Sequence, residues 1–336
     1  MSITKSAAIT LYEESERFSD AYPEYDLSKL PQWVRDNIQE ARVYGNQKKG
    51  VILADGRKYH LDNKLNDMTG RDWTFFINSV FSTNYPTRGT EGYAHEIRKI
   101  HPSPKPPQLM RDLISFFTKE GELVFDSFAG VGGSLLGAAL CNRKAAGIDL
   151  NQEYLNAYIE ASKKLDLQVY PTICGDCIQI LQNDAVMNEL IGKQQIGLCL
   201  IDPPYANMMS KKKTGADAYI HGDVATPFTN EAADLGNMER SEFLETLKKS
   251  VELMLAYMKT EGYVVVFIKD LQPHKKETNL LHSEVVNKLN EIPKLYYKGM
   301  KIWADESAKI YPYGYPFSFV ANQVHQYILV FRKEKR

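Results

Sequence analysis

Short apolar runs alternate with amphipathic segments from residue 108 to residue 268. The apolar runs predict strands at 122–125, 145–148, 169–174, 196–201 and 263–268. Apolar residues spaced by three or four positions predict helices at 108–119, 134–141, 152–165, 178–182 and 241–259. Strands that alternate with helices indicate an α/β fold with a parallel sheet covered on both faces. Two later segments, 295–303 and 326–331, predict an antiparallel pair of strands.

Residues 1–70 have a different pattern, which predicts an N-terminal appendage of a helix and a hairpin. The segment 27–41 is predicted to be helical, with Ser28 as a cap and Pro31 in the first turn. The apolar residues of 50–61 flank an Asp55–Gly56 turn, which indicates a β-hairpin. We expect this appendage to contact DNA or a partner, and residues 71–336 to form the catalytic domain.

The composition is that of an ordinary soluble protein with 336 residues, 43% hydrophobic and 25% charged. The formal net charge of −1 gives no global signature of nucleic-acid binding. The apolar runs are too short to cross a membrane, and four cysteines beside apolar patterns fit a reduced, cytoplasmic protein. No metal site is expected, because the histidines show no ligand spacing and Cys174–Cys177 is a single pair.

A glycine-rich turn follows the strand predicted at 122–125. Gly130 and Gly132 permit a tight turn and close approach of a ligand. A dinucleotide-binding fingerprint needs a third glycine, where this chain has Leu135, so a nucleoside ligand without phosphates fits better. Asp149 ends the next strand, about 20 residues after the glycines, where an acid suits a ribose diol.

The strand at 196–201 runs directly into Asp202, Pro203, Pro204 and Tyr205. Prolines have no backbone N–H and hold the preceding residue extended, so this segment presents a rigid set of acceptors. A carboxylate and free backbone carbonyls suit an amine with two N–H bonds, such as the exocyclic amino group of a nucleobase. The Tyr205 ring offers a flat face for stacking that base.

Together these motifs resemble the S-adenosylmethionine-dependent DNA amino-methyltransferases, the adenine-N6 and cytosine-N4 enzymes. The resemblance spans residues 73–336 and implies a Rossmann-like fold with a mostly parallel seven-stranded sheet and antiparallel C-terminal edge strands. It implies S-adenosylmethionine as the cofactor. The cofactor-binding residues that it implies are Lys105, Pro106, Asp126, Phe128, Ala129, Gly130, Gly132, Asp149, Leu150, Asp176 and Cys177. Ser127 departs from the family, in which proline is frequent at that position.

The resemblance implies methyl transfer to an exocyclic amine in duplex DNA, by base flipping and direct in-line transfer. Asp202, Pro203, Pro204 and Tyr205 would be the catalytic residues, and an aspartate at the first position favours adenine N6. Three alternatives stay open: cytosine-N4 methylation of DNA, guanine-N2 methylation of tRNA or rRNA, and a non-catalytic subunit of a larger complex.

Target recognition is expected in two segments, the insertion 207–240 and the loop 304–324. The candidate nucleic-acid contacts are Lys211, Lys212, Lys213, Tyr313 and Tyr315. The expected partners are duplex DNA and a restriction or specificity subunit of a restriction–modification system, with no membrane.

Overall fold

A computed structural model describes residues 15–206, 228–270 and 280–335 of the chain. The chain divides into two compact units, 1–78 with 115–121, and 79–114 with 122–336. Residues 71–78 and 115–121, which the sequence assigned to the catalytic domain, belong to the first unit. Within the described ranges, no helix is long and apolar enough to span a membrane.

The first unit contains a small antiparallel sheet. Its strands are β1 (Arg42–Tyr44), β2 (Gly50–Ile52) and β3 (Lys58–His60), in that order. The hairpin predicted around the Asp55–Gly56 turn is present as β2 and β3. Short helices accompany the sheet: α1 (Phe18–Ala21), α2 (Gln32–Arg35) and α3 (Gly70–Phe76). Phe18, Val34, Val51 and Tyr59 are among the residues of its core.

The single helix predicted at 27–41 is wrong. The segment forms a 3₁₀ turn at Leu27–Lys29, the short helix α2, and a second 3₁₀ turn at Ile38–Glu40. Leu30 is extended, with φ −88° and ψ 148°, because it precedes Pro31. The proline therefore breaks the segment, and α2 begins just after it.

The second unit is built on an eight-stranded sheet in the order β4-β10-β11-β9-β8-β5-β6-β7. Its strands are β4 (Val80–Thr83), β5 (Leu123–Asp126), β6 (Lys144–Asp149), β7 (Thr172–Cys174), β8 (Ile196–Ile201), β9 (Met258–Ile268), β10 (Leu295–Asp305) and β11 (His325–Lys333). The remaining helices are α4 (His95–Arg98), α5 (Pro107–Phe117), α6 (Gly133–Ala139), α7 (Gln152–Lys164), α8 (Cys177–Leu181), α9 (Asp184–Ile191), α10 (Arg240–Tyr257) and α11 (Leu281–Leu289). The predicted Rossmann-like α/β class, with a mostly parallel sheet, is confirmed.

The sheet differs from the prediction at one end. Strand β11 is antiparallel to β10, as predicted, but it lies between β9 and β10 and is not an edge strand. The edge strand is β4, an eighth strand that pairs in parallel with residues 302–305 of β10. The sequence around β4 shows no clean period, because its residues are exposed or half-buried and no apolar face marks it.

The strand ends converge on one edge of the sheet. The parallel strands β5, β6 and β8 all end there, since Asp126 pairs with Gly147 and Phe125 with Cys199. Strand β8 is buried along its whole length, so its apolar residues anchor the sheet. Strand β11 runs the opposite way, and its first residues therefore reach the same edge. Ligands of open α/β sheets bind at the carboxyl ends of the strands.

Candidate active site

The turn after β5 is shaped by the buried carboxylate of Asp126. One oxygen accepts the N–H of Phe128 at 2.9 Å, and the other accepts the hydroxyl of Ser134 at the start of α6. Burial raises the pKa of Asp126 to about 7 against the lowering effect of these bonds. Asp126 therefore organises the loop between strand and helix, and it also borders a small cavity lined by Ala129 and Gly130.

Two glycines of this turn have left-handed backbone conformations. The φ angles are +49° at Gly130 and +75° at Gly132. A Cβ atom at Gly132 would lie 2.1 Å from the ring of Tyr158, so only glycine fits there. The N–H of Gly130 donates to Asp149 at 2.7 Å, which ties the turn to the end of β6.

Asp149 lies in a cleft of about 290 Å³. Its carboxylate accepts from the backbone N–H groups of Gly130 and Asn151, the latter at 2.8 Å. Burial outweighs these bonds and raises the pKa of Asp149 to about 6. Leu150 and Phe128 line the same cleft beside it. The structure thus brings an acid and apolar side chains together where the sequence predicts the nucleoside.

The end of β7 also borders the cleft, through Gly175 and Cys177. Asp176 lies between them and caps helix α8, accepting the N–H of Ile178 at 2.9 Å. Its predicted contact with the adenine amino group stays a prediction. In the described part of the chain, no three His, Cys, Asp or Glu side chains form a metal site.

An aromatic wall of the cleft was not predicted as part of the site. The His101 ring stacks on Phe228 with a centroid distance of 5.1 Å and meets Tyr154 edge-on at 4.8 Å. Burial lowers the pKa of His101 to about 4, so the ring is neutral at physiological pH. The sequence signal for His101 was its position just before Lys105, a predicted cofactor residue. Tyr154 and Phe228 carried no such signal.

Residues 228–235, part of the predicted recognition insertion, also form a wall of this cleft. Asp234 accepts the N–H and the hydroxyl of Thr229, both at 2.9 Å, and the N–H of Gly236 at 2.8 Å. Thr229, Asp234 and Leu235 line the cleft with Phe228. Lys211, Lys212 and Lys213 lie outside the described residues.

The motif after β8 enters the same cleft with all four of its residues, Asp202, Pro203, Pro204 and Tyr205. The Tyr205 hydroxyl donates to one carboxylate oxygen of Asp202 at 2.7 Å. Burial and the adjacent carboxylate raise the pKa of Tyr205 well above its usual value, so the hydroxyl remains a donor. The Asp202 carboxylate is therefore fixed in direction by its own motif.

Lys105 holds the second oxygen of this carboxylate. Its ammonium donates to Asp202 at 2.5 Å, and the side chain is only 7% exposed. The Arg98 guanidinium donates to the Lys105 carbonyl, which fixes the backbone at this point. Lys105, predicted as a cofactor residue, lines the cleft and also contacts the Asp202 carboxylate. Pro106 lines a second cavity of about 370 Å³ beside the cleft.

The loop between β10 and β11 holds the other two predicted nucleic-acid residues. Its base is closed by two hydrogen bonds between Tyr311 and Asn322, each 2.8 Å. Tyr313 packs near Tyr311, with ring centroids 5.8 Å apart. Tyr315 is 81% exposed. The role predicted for Tyr313 and Tyr315 stays a prediction.

The cleft fits S-adenosylmethionine. Asp149 would provide an acceptor for the ribose hydroxyls, and Leu150 and Phe128 would provide apolar surface for the adenine. The glycine turn lets a ligand approach its backbone closely. Asp202 lines the same cleft.

Comparisons with known proteins agree with this site. A family model described as DNA methylase matches residues 8–160, which include the glycine turn and Asp149. A tRNA (guanine(10)-N2)-dimethyltransferase of Methanocaldococcus jannaschii is 28% identical over 145 residues, 41% of this chain and 39% of that protein. The Type II methyltransferase M2.DpnII of Streptococcus pneumoniae is 30% identical over 136 residues, 40% of this chain and 41% of that protein.

Among solved structures, TrmN from Thermus thermophilus aligns with a TM-score of 0.46 and 13% identity, covering 72% of this chain and 53% of that one. The chain thus covers about two fifths of the length of the two curated relatives above. The family model matches the part of the chain that carries the glycine turn. Over residues 8–160 the chain is similar to the family model described as DNA methylase, and over about two fifths of its length it is similar to Type II methyltransferases.

Proposed function

We propose that this protein transfers a methyl group from S-adenosylmethionine to the exocyclic amino group of a base in duplex DNA, adenine N6 in particular. The observation that carries the proposal is the position of Asp202, a carboxylate fixed beside two prolines in the cleft that holds Asp149. An acceptor array without backbone donors recognises an amine and excludes groups that only accept hydrogen bonds.

The chain's own residues orient the amine. Each Asp202 oxygen already accepts one hydrogen bond, from Tyr205 or Lys105, and a carboxylate has about four lone-pair sites, so each oxygen can accept one more. The Pro203 carbonyl supplies an acceptor for the second amine hydrogen. When bound, S-adenosylmethionine supplies the electrophilic methyl group. No covalent link to the protein is needed, and the rate comes from proximity and a preorganised site.

A base in a duplex has to leave the stack before its amine can reach Asp202. Base flipping is the general solution for enzymes that act on a base. Tyr205, which is 8% exposed and lies at the cleft, would receive the base. We also propose, as expected from the sequence, that a restriction or specificity subunit is a partner of this protein.

The tRNA relative keeps guanine-N2 methylation of RNA as the second candidate. A labelled-methyl assay with S-adenosylmethionine separates the two, when duplex DNA and total RNA are offered in parallel and the nucleosides are analysed. We expect label in N6-methyladenine from DNA. Label in N4-methylcytosine would correct the base, whereas label in RNA guanosine alone would reject the DNA proposal. An Asp202→Asn protein in the same assay controls for a contaminating activity.

A further inference from the structure

The amide of Gln326 has a buried oxygen with no hydrogen-bond partner in residues 15–206, 228–270 and 280–335. A buried polar atom without a partner costs free energy, and most such atoms in folded proteins are paired. Gln326 lines both the cleft of Asp202 and the second cavity. The unpaired oxygen therefore stands at a ligand site and not in a packed core.

The sheet places this amide close to the catalytic motif. Strand β9 lies between β8 and β11. Ile201, just before Asp202, pairs with Val266 of β9, and Ile268 of β9 pairs with Tyr327, just after Gln326. Because β11 is antiparallel, its first residues stand at the same edge as the end of β8.

Four residues form the wall shared by the cleft and the second cavity: Ser103, Lys105, Lys269 and Gln326. Lys105 is already bonded to Asp202. Gln326 therefore faces the space in front of the Asp202–Lys105 pair, together with the half-buried Lys269.

The second cavity can receive a planar ring. Its volume is about 370 Å³, within the range of small-molecule sites. Tyr85 and Trp303 line it, with ring centroids 6.5 Å apart. Trp303 pairs with Gln326 across β10 and β11, and its indole N–H donates to Thr83 at 2.7 Å, which fixes the ring. Aromatic walls of this kind stack nucleobases.

We propose that Gln326 is a specificity-determining residue that reads the edge of the target base. Its amide oxygen shares with the Pro203 carbonyl the amine hydrogen that Asp202 does not accept, and its amide nitrogen donates to the adjacent ring nitrogen. A side-chain amide forms such a pair of bonds with adenine. The inference rests on the proposed methyl transfer and adds a reader opposite Asp202, so that a base with a carbonyl in place of the amine is rejected.

The test is Gln326→Leu, which removes both polar atoms at nearly constant size, with Gln168→Leu as the matched control. Gln168 is exposed and lines neither the cleft nor the second cavity. We measure kcat/KM for methyl transfer, the affinity for S-adenosylhomocysteine, and the melting temperature. We expect Gln326→Leu to lower kcat/KM about 10- to 100-fold. Cofactor affinity should stay within about twofold of wild type, and the melting temperature should be unchanged or higher, because a buried unpaired oxygen is gone.

The control should match the wild type in all three measurements. A kcat/KM of Gln326→Leu within about twofold of wild type would overturn the inference, and so would an equal loss of cofactor affinity. The comparison is made on whichever nucleic acid the wild type labels, so that label in RNA rejects the DNA proposal and still tests Gln326. A wild type that labels neither DNA nor RNA rejects both.

Discussion

The ammonium of Lys105 lies 2.5 Å from a carboxylate oxygen of Asp202, although the two residues are 97 positions apart in the sequence. The Lys105 side chain is 7% exposed and that of Asp202 is 17% exposed. Each of these two charges is stabilised by the other, because either one alone would be a buried ion without a counter-charge. The pair therefore links the segment before α5 to the motif Asp202–Tyr205 after β8.

Removal of the Asp202 carboxylate should slow methyl transfer strongly and spare cofactor binding. We expect Asp202→Asn to lower kcat by about 10² to 10³, because one preorganised group at a reacting centre contributes roughly that factor. The affinity for S-adenosylhomocysteine should change by less than about threefold. Single-turnover methyl transfer and calorimetric titration measure the two quantities. A large loss of cofactor affinity would show that Asp202 serves the cofactor and not the base.

Loss of the lysine should destabilise the fold through the carboxylate that it leaves behind. We expect Lys105→Met to lower the free energy of unfolding by about 3 kcal/mol, the typical result of breaking a buried ion pair. Denaturant titration measures the change. The double variant Lys105→Met/Asp202→Leu should lose less than the sum of the two single variants, since it leaves no buried charge.

A matched control for this pair is the exposed ion pair of Lys164 and Glu96, whose side chains are 56% and 51% exposed. Surface ion pairs contribute little to stability. Lys164→Met should therefore leave the melting temperature nearly unchanged. If Lys105→Met and Lys164→Met lowered the melting temperature equally, burial of the Lys105–Asp202 pair would not explain its contribution to stability.

Cofactor affinity should rise with pH through the pKa of Asp149, which is about 6 in the free protein. The carboxyl is neutral below that pH and ionised above it, and the ionised form is the better acceptor for ribose hydroxyls. We expect affinity for S-adenosylhomocysteine to increase about tenfold from pH 5 to pH 7. Isothermal titration across this range measures it.

The control for the pH dependence is Asp149→Asn. Asp126, with a pKa of about 7, titrates nearby in both proteins, so the difference between them isolates Asp149. The variant should bind more weakly at pH 7 and show a flatter profile. An unchanged slope in Asp149→Asn would assign the pH dependence to another group.

A side chain at Gly132 should disrupt the cofactor turn. In Gly132→Ala the new Cβ would lie 2.1 Å from the Tyr158 ring, at a φ of +75°. We expect at least a tenfold loss of cofactor affinity, because the turn or the helix α7 behind it has to shift. Gly192→Ala is the control for strain alone, since its φ is +61° and nothing lies within 4 Å of the added atom. That variant should lose about 1 kcal/mol of stability and keep its cofactor affinity.

Local patterns predicted the parallel half of the sheet well. The runs that became β5, β6 and β8 are apolar and bounded by turns, and burial on both faces leaves that signature in the sequence. Strand β4 has no such signature, because it depends on pairing with residues 302–305 far along the chain. The single helix predicted at 27–41 was wrong because Pro31 outweighs the propensity of its neighbours.

The motif residues of the site were predictable because each follows a strand that can be recognised. Lys269 and Gln326 were not, since an isolated lysine or glutamine at a strand end carries no pattern of its own. Lys269 follows β9 and Gln326 lies in β11. Both residues line the cleft because β11 lies next to β9 in the sheet. Sheet order is a non-local property, and local periodicity does not encode it.

The insertion of β11 between two earlier strands has a consequence for synthesis. A ribosome completes β9 and β10 before it reaches residues 325–333, so the facing edges of both strands are unpaired in the nascent chain. Exposed strand edges invite pairing with other chains. The cleft lacks Gln326 until β11 is inserted, so newly made protein should acquire the proposed activity only after this late step.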